Sequence, residues 1–235
     1  ASNDFFAVSK DVVSKMIAGE YTAQQAYRAF NARLLAEETP DDDEIVLSSG
    51  KSYSNVFHAN GGSASFSVMA NTLRGVYGTD VLLATANSFT GSVLRADYNK
   101  KMAASMIMPN GLMSRQRTMT GAELKETVRA FVEGCEGGFV PFNRGSLPVV
   151  SGIAVEVKEA SGSYTLTGIT RNGQPLGDND TVTVTCLATE KQMEALLASD
   201  SGTSAGEDTW VKNTWRDYIS GGAALAEPEN YMTLR

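Results

Sequence analysis

The 235-residue chain holds one histidine, His58, and two cysteines, Cys135 and Cys186. A single imidazole cannot supply a His pair on one helix face or a two-metal cluster, and neither thiol has a Cys or His at metal-ligand spacing. His58 lies between apolar neighbours in NVFHAN, the setting of a hydrogen-bonded structural imidazole rather than a general base. The 27 Asp and Glu residues leave carboxylate chemistry formally open. None of them falls in an apolar segment that would raise its pKa; Glu156 comes nearest, and strand alternation turns it outward. Neither GxGxxG nor GxxxxGK followed by Ser or Thr occurs, so no glycine loop cradles a phosphate. Binding chemistry remains. The stretch GGFVPFNRG (Gly137 to Gly145) sets Phe139, Phe142 and Arg144 in a Gly-flanked loop, and with Phe89 upstream these groups suit a ring-shaped ligand. The same aromatics would equally plug the loop onto a core, and both readings stand. Catalysis by this chain alone is not expected.

The elements that must position these groups can be read from periodicity and caps. Asp11 to Ala18 and Thr22 to Glu38 are expected as helices, the second opened by a Thr22–Gln25 capping box, with the acidic turn TPDDDE after it. Strands are expected at Ile45 to Leu47 and Val56 to Ala59. A helix over Ser65 to Tyr77, with Ser65 as N-cap and Gly78 as stop, buries Phe66, Met69, Leu73 and Val76. The run Asp80 to Thr85 that follows is apolar throughout its middle, as in a strand covered on both faces. It ends in Asn87, Ser88, Thr90 and Gly91, placing polar side chains at a strand's carboxyl end, where open sheets bind ligands. Thr120 and Glu123 form a capping box for a helix with Leu124, Val128, Phe131 and Val132 on its buried stripe. Ile153 to Val157, Tyr164 to Thr170 and Val182 to Cys186 read as strands, with Asn172-Gly173 as a tight turn. Helices are expected over Glu190 to Ala198 and Asp208 to Ile219, the latter capped by Asp208, with Ser199 to Asp208 as a loop. The result is an α+β fold of mixed β-sheets flanked by helices, behind an N-terminal helical segment.

The order of four landmarks, GSASFSVMANTLRGVYGTDVLLATANSFTG (Gly62 to Gly91), MPNG before TMTGAEL (Met108 to Leu124), LPVVSGIAVEVK (Leu147 to Lys158) and ITRNGQPLGDNDTVTVTCLAT (Ile169 to Thr189), resembles the C-terminal domain of the 5'-nucleotidase and UDP-sugar hydrolase family. The resemblance implies a helical linker over 1–44 and that domain over 45–235. It implies a domain that holds the nucleoside or sugar end of a nucleotide or nucleotide sugar. Two divalent metals and the hydrolytic step would belong to an N-terminal metallophosphoesterase domain of the same polypeptide, leaving no cofactor here. A location outside the cytoplasm, periplasmic, extracellular or at the cell surface, is implied as well.

Within that resemblance Asn87 and Thr90 stand in the family's NGGGIR segment, Ser92 takes the place of its Arg, and Arg95 follows three residues later. Asn110 stands in the PFGN turn. The two rings that sandwich a base in the family would fall at Leu147 or Val150 and near Thr189, none of which is aromatic, and the GGDG turn is replaced by Glu190 to Met193. The substrate-binding set is therefore Asn87, Thr90, Arg95 and Asn110, joined by the relocated clamp Phe139, Phe142 and Arg144. The alternative reading is a structural or interaction module of a cell-surface protein that keeps the fold without the ligand.

Charge narrows the partners. A net charge of -7 and a pI near 4.8 do not suit a nucleic-acid backbone, which demands clustered Lys and Arg. No run of about 18 apolar residues is present, so no membrane-spanning segment is expected. The two cysteines are too few for a disulfide framework; they would either pair or stay as buried thiols.

Overall fold

The structure is a computed structural model that describes residues 4–20, 22, 44–56, 62–108, 111–133, 148–160, 163–189, 193, 197, 202–229 and 232–234. It divides into two compact units, Ala1–Glu44 and Ile45–Arg235. The first contains α1, Asp4–Ile17, longer toward its N-terminus than the sequence pattern suggests. An Asp11–Lys15 pair at 3.5 Å spans one turn of it, and the chain leaves through Gly19 in a left-handed conformation. The expected second helix, 22–38, and the acidic turn lie outside the described residues but for Thr22 and Glu44.

The second unit is built on one six-stranded sheet. Its members are β2 (Val81–Thr85), β4 (Leu112–Thr120), β5 (Pro148–Ser151), β9 (Thr181–Thr189) and the short β10 (Thr203–Ser204) and β11 (Thr209–Trp210). The order is β10-β4-β9-β2-β5, with β11 also against β4. β2 runs parallel to β9 and the other pairs are antiparallel. Every residue of β2 is buried, and its side chains divide by period two: Leu82 and Ala84 enter one core, Val81 and Leu83 the other. Such a strand needs a layer on each face, and the fold provides both.

On one face lie α2 (Ala64–Tyr77), α3 (Lys100–Ala104), α5 (Val211–Ser220) and the two-stranded sheet of β1 (Ile45–Ser49) and β3 (Ala96–Asn99). Phe66, Met69 and Leu73 of α2 pack there with Trp215 of α5, whose indole N–H donates to the Ala103 carbonyl at 2.7 Å. On the other face α4 (Gly121–Glu133) buries Leu124, Val128, Phe131 and Val132. There it meets Val155 and Val157 of β6 (Ala154–Ala160) and Ile169 of β7 (Ser163–Arg171). With β8 (Gln174–Pro175) and β12 (Met232–Leu234) these strands form a second sheet, ordered β12-β6-β7-β8. β7 and β8 are joined through Asn172 and Gly173, both at positive φ (52° and 76°), which is the two-residue hairpin that Asn-Gly favours.

The Thr120–Glu123 capping box is present: Thr120 N–H donates to Glu123 Oε2 at 2.7 Å, and Glu123 N–H donates to Thr120 Oγ1 at 3.2 Å. Three local expectations are corrected. The N-cap of α2 is Ser63, which accepts from Phe66 N–H. Ser65 is instead buried and clamps the segment after β2, donating to the Gly91 carbonyl at 3.0 Å and accepting from Val93 N–H at 3.1 Å. Asp208 does not cap α5, whose N-cap is Trp210 without a side-chain bond; Asp208 grips the Arg115 guanidinium through both its oxygens. Residues 203–204, expected as loop, and 209–210, expected as the start of the last helix, instead pair with β4 along its outer side. Val56 is outside any strand, and His58 and most of 190–198 are outside the described residues. No described helix is long and apolar enough to cross a membrane.

After α5, Gly221-Gly222 turns the chain back across α2. Ala226 N–H donates to Thr72 Oγ1, Asn71 Nδ2 to the Glu227 carbonyl, and Ser67 Oγ exchanges bonds with the backbone of Glu229. Side chains join this seam, with Glu227 meeting Lys51 and Tyr53, and Glu229 meeting Arg74. The strap then adds β12 parallel to β6.

Candidate ligand-binding site

Two ends of the six-stranded sheet differ in chemistry. At the first, β2 closes with Thr85 opposite Pro148 of β5, and Thr189 ends β9 opposite Leu112 of β4. The segments that precede Leu112 and Pro148 carry Asn110, and Phe139, Phe142 and Arg144, whose placement lies outside the described residues. β2 runs directly into a 3-10 turn, Ala86–Ser88, and then Phe89 bridges to Ile107. Asn87 is exposed on this turn. Thr90 is also exposed, its hydroxyl donating to the Ser105 carbonyl and its N–H to Met106 O at 3.1 Å. Arg95 is exposed as well, on a separate segment tied back through its N–H to Ser52 Oγ at 2.8 Å. Asn87 thus lies on the turn and Thr90 just past it, beyond Phe89, while Arg95 belongs to the run that enters β3.

Phe89 is no part of a clamp. It is 4% exposed and packs against Phe66 with ring centroids 5.9 Å apart, inside the core under α2. Ser92, in the place of the family's Arg, donates to Asn55 Oδ1 and accepts from Asn55 N–H, both at 3.1 Å. Val150 is buried in the core beneath α4. Ser88, one of the polar residues that end the strand, differs from its neighbours: its hydroxyl is fully buried at this turn and has no partner among the described residues, an arrangement that costs about 1–3 kcal/mol when nothing satisfies it.

At the opposite end, where β2 and β9 begin and β5 ends, a polar cavity of about 380 Å³ opens. Its lining includes Arg74, Thr79, Asp80, Gly152, Arg171, Asn172 and Glu229. Asp80 Oδ2 accepts from Thr183 N–H at 2.9 Å and Thr183 Oγ1 at 3.0 Å, while Oδ1 accepts from Arg171 Nη2. Partial burial pushes the Asp80 carboxyl up, but the Thr183 hydrogen bonds and the Arg171 charge outweigh it, and its pKa is lowered. Arg74 donates to Ser151 Oγ at 2.9 Å, Asn71 Oδ1 at 2.8 Å and Glu229 Oε1 at 3.0 Å. Gly152 N–H reaches Glu229 Oε2 at 3.3 Å. No signal in the sequence joined these residues, which come from five segments. Among the described residues no group of three His, Cys, Asp or Glu is placed to hold a metal ion.

No protein-family model matches the sequence, and no curated protein matches it. Solved structures do. A 5'-nucleotidase precursor from Thermus thermophilus superposes with a TM-score of 0.62 at 14% identity, over 90% of this chain and 43% of its own. The NAD nucleotidase of Haemophilus influenzae gives 0.59 at 17% identity, over 90% and 41%. A sulfate thiohydrolase from Thermus thermophilus gives 0.61 at 13%, over 91% and 38%. The chain therefore spans about two fifths of the proteins it matches, and over some nine tenths of its own length it has the fold of the corresponding part of a 5'-nucleotidase.

Proposed function

We propose that this chain is the substrate-recognition part of a 5'-nucleotidase-like phosphohydrolase, with a nucleotide or nucleotide sugar as ligand, and that the divalent metals and the hydrolytic step reside in a metallophosphoesterase domain outside it. The observation that carries this reading is the exposed polar pair Asn87 and Thr90, on and just past the turn at the carboxyl end of a doubly covered strand, on a fold shared with nucleotidases. The buried Ser88 hydroxyl, without a partner among the described residues, supports it. Arg95, Asn110, Phe139, Phe142 and Arg144 complete the proposed site, with the two aromatics taking the stacking role. Residues 1–44 are the linker to the absent domain and 45–235 the recognition domain, acting outside the cytoplasm.

The alternative, a structural or interaction module that keeps the fold without the ligand, draws on Phe89 being spent on the core and on Ser92 being tied to Asn55 where an Arg would meet the ligand. Calorimetric titration of the metal-free chain with adenosine, AMP, uridine and UDP-glucose separates the two. Saturable binding weakened by Asn87→Ala and by Phe142→Ala supports recognition. No heat or chemical-shift response at millimolar ligand removes nucleotide recognition by this chain and leaves the module.

A further inference from the structure

We propose that the cavity at the amino end of β2, distant in the sheet from the nucleotide-type site, binds a neutral polyhydroxylated ligand of saccharide type, with Arg171 and Asn172 as its principal donors.

The cavity's size falls within the roughly 300–1,000 Å³ of small-molecule sites, but its wall is polar. An apolar ligand would strip water from guanidinium and carboxylate groups without replacing their hydrogen bonds. The charges balance: Arg74 and Arg171 stand against Asp80 and Glu229, and the depressed Asp80 pKa keeps that carboxylate ionised at neutral pH. An added anion would meet Asp80 and Glu229 in the same lining and find no surplus of positive charge. A hydroxyl both donates and accepts, so vicinal hydroxyls can use donors and acceptors set side by side.

Those groups are present and held. Arg171 spends only Nη2 on Asp80, leaving Nε and Nη1 without partners among the described residues. Its position is fixed because Asp80 is itself tied to Thr183 through both backbone and hydroxyl. The Asn172 amide has no partner among the described residues and is exposed on the hairpin tip beside it. Across the cavity Glu229 Oε2 receives, among the described residues, only the long bond from Gly152. Gly152, at φ 83°, lets the wall close in: a Cβ there would lie 2.0 Å from the Asp80 carbonyl.

With no aromatic ring in the lining, a dissociation constant of about 1–10 mM is expected. The test is an amide chemical-shift titration of the full chain with methyl α-glucoside, methyl α-galactoside and methyl α-mannoside, with inorganic phosphate and acetate as anion arms. Saturable shifts at Gly152, Asn172 and Gly173 with at least one glycoside are expected. Asn172→Gly, which keeps the turn because glycine accepts positive φ, should weaken binding at least about fivefold with the unfolding midpoint unchanged or raised. Arg171→Lys should weaken it too. The proposal is overturned if no glycoside shifts these amides by about 100 mM, some tenfold above the expected constant. Shifts with phosphate or acetate alone, or full affinity in Asn172→Gly, overturn it equally. The reporter amides are at the opposite sheet end from Asn87, so failure of nucleotide binding leaves this result intact.

Discussion

Three glycines separate two costs that are usually confounded. Gly173 has φ 76° and open space where a Cβ would go; Gly121 has no positive φ, but its Cβ would lie 1.9 Å from the Gly177 carbonyl; Gly152 has φ 83° and a Cβ position 2.0 Å from the Asp80 carbonyl. Alanine in the left-handed region costs about 1–2 kcal/mol, offset by about 0.4–1 kcal/mol through a stiffer unfolded chain. Gly173→Ala should therefore cost about 0–1.6 kcal/mol. At Gly121 the backbone must move, an overpacking cost of about 1–3 kcal/mol. Gly152→Ala carries both terms, less the same offset, and should cost roughly 1–5 kcal/mol, a loss of about 2–20 °C at 2–4 °C per kcal/mol for a domain this size. Urea unfolding of the three variants at constant m-value checks the ordering. Equal costs at Gly152 and Gly173 would refute the steric reasoning, and a Gly152 cost no greater than Gly121 would refute the conformational part.

Asp80→Asn should flatten the acid limb of the stability curve. The Asp80 carboxyl is held below its unfolded value of about 3.9, so its contribution is fully present above that pH and lost as pH falls through the lower folded value; an unchanged slope between about pH 4 and 2 would contradict this. Thr120→Ala should cost about 1 kcal/mol by removing the α4 cap. The Glu123 carboxyl, lowered by Thr120 N–H and hydroxyl and by Gly202 N–H, should then titrate higher by NMR, and an unmoved Glu123 would count against the box. Burial pushes the Cys186 thiol up to about 12. In a Cys135→Ser chain, labelling by a thiol reagent at pH 8 should follow unfolding, and rapid stoichiometric labelling of the folded protein would disprove the buried placement.

What the sequence disclosed followed from local physics. α2, β2, α4 and the Asn172-Gly173 hairpin announce themselves because an apolar stripe, a cap or a turn residue is sufficient to specify each. β4 does not: LMSRQRTMT has three large polar residues at its centre, and it is a central strand because β9 lies on one side and β10 and β11 on the other. Asp208 could cap a helix or pair with a cation, and only the position of Arg115 decides. For the site, Asn87 and Thr90 were legible as polar residues ending an apolar strand. Ser88, one position away, was not distinguishable as the buried member, and Phe89 was not distinguishable as core. The Arg171 cavity was invisible, since Arg74, Asp80, Gly152, Arg171 and Glu229 meet only through sheet register and the returning strap.

That strap has a consequence for how the molecule is made. The polar face of α2 is matched by residues some 155 positions later, as in the Arg74–Glu229 pair, and β2 finds its parallel neighbour β9 only about a hundred positions on, as Asp80 meets Thr183. At about 5–20 residues per second of synthesis, α2 waits on the order of 8–30 s for its polar partners. For the first part of that interval, until β9 emerges, the central sheet lacks the strand that ties β2 to β4 and the apolar side of the helix faces an incomplete sheet. Local helices can form at once, but the sheet must close loops that are long in sequence, which makes its assembly late and slow. The nascent chain is thus most exposed to aggregation between the emergence of β2 and that of β9, long before the strap seals the seam.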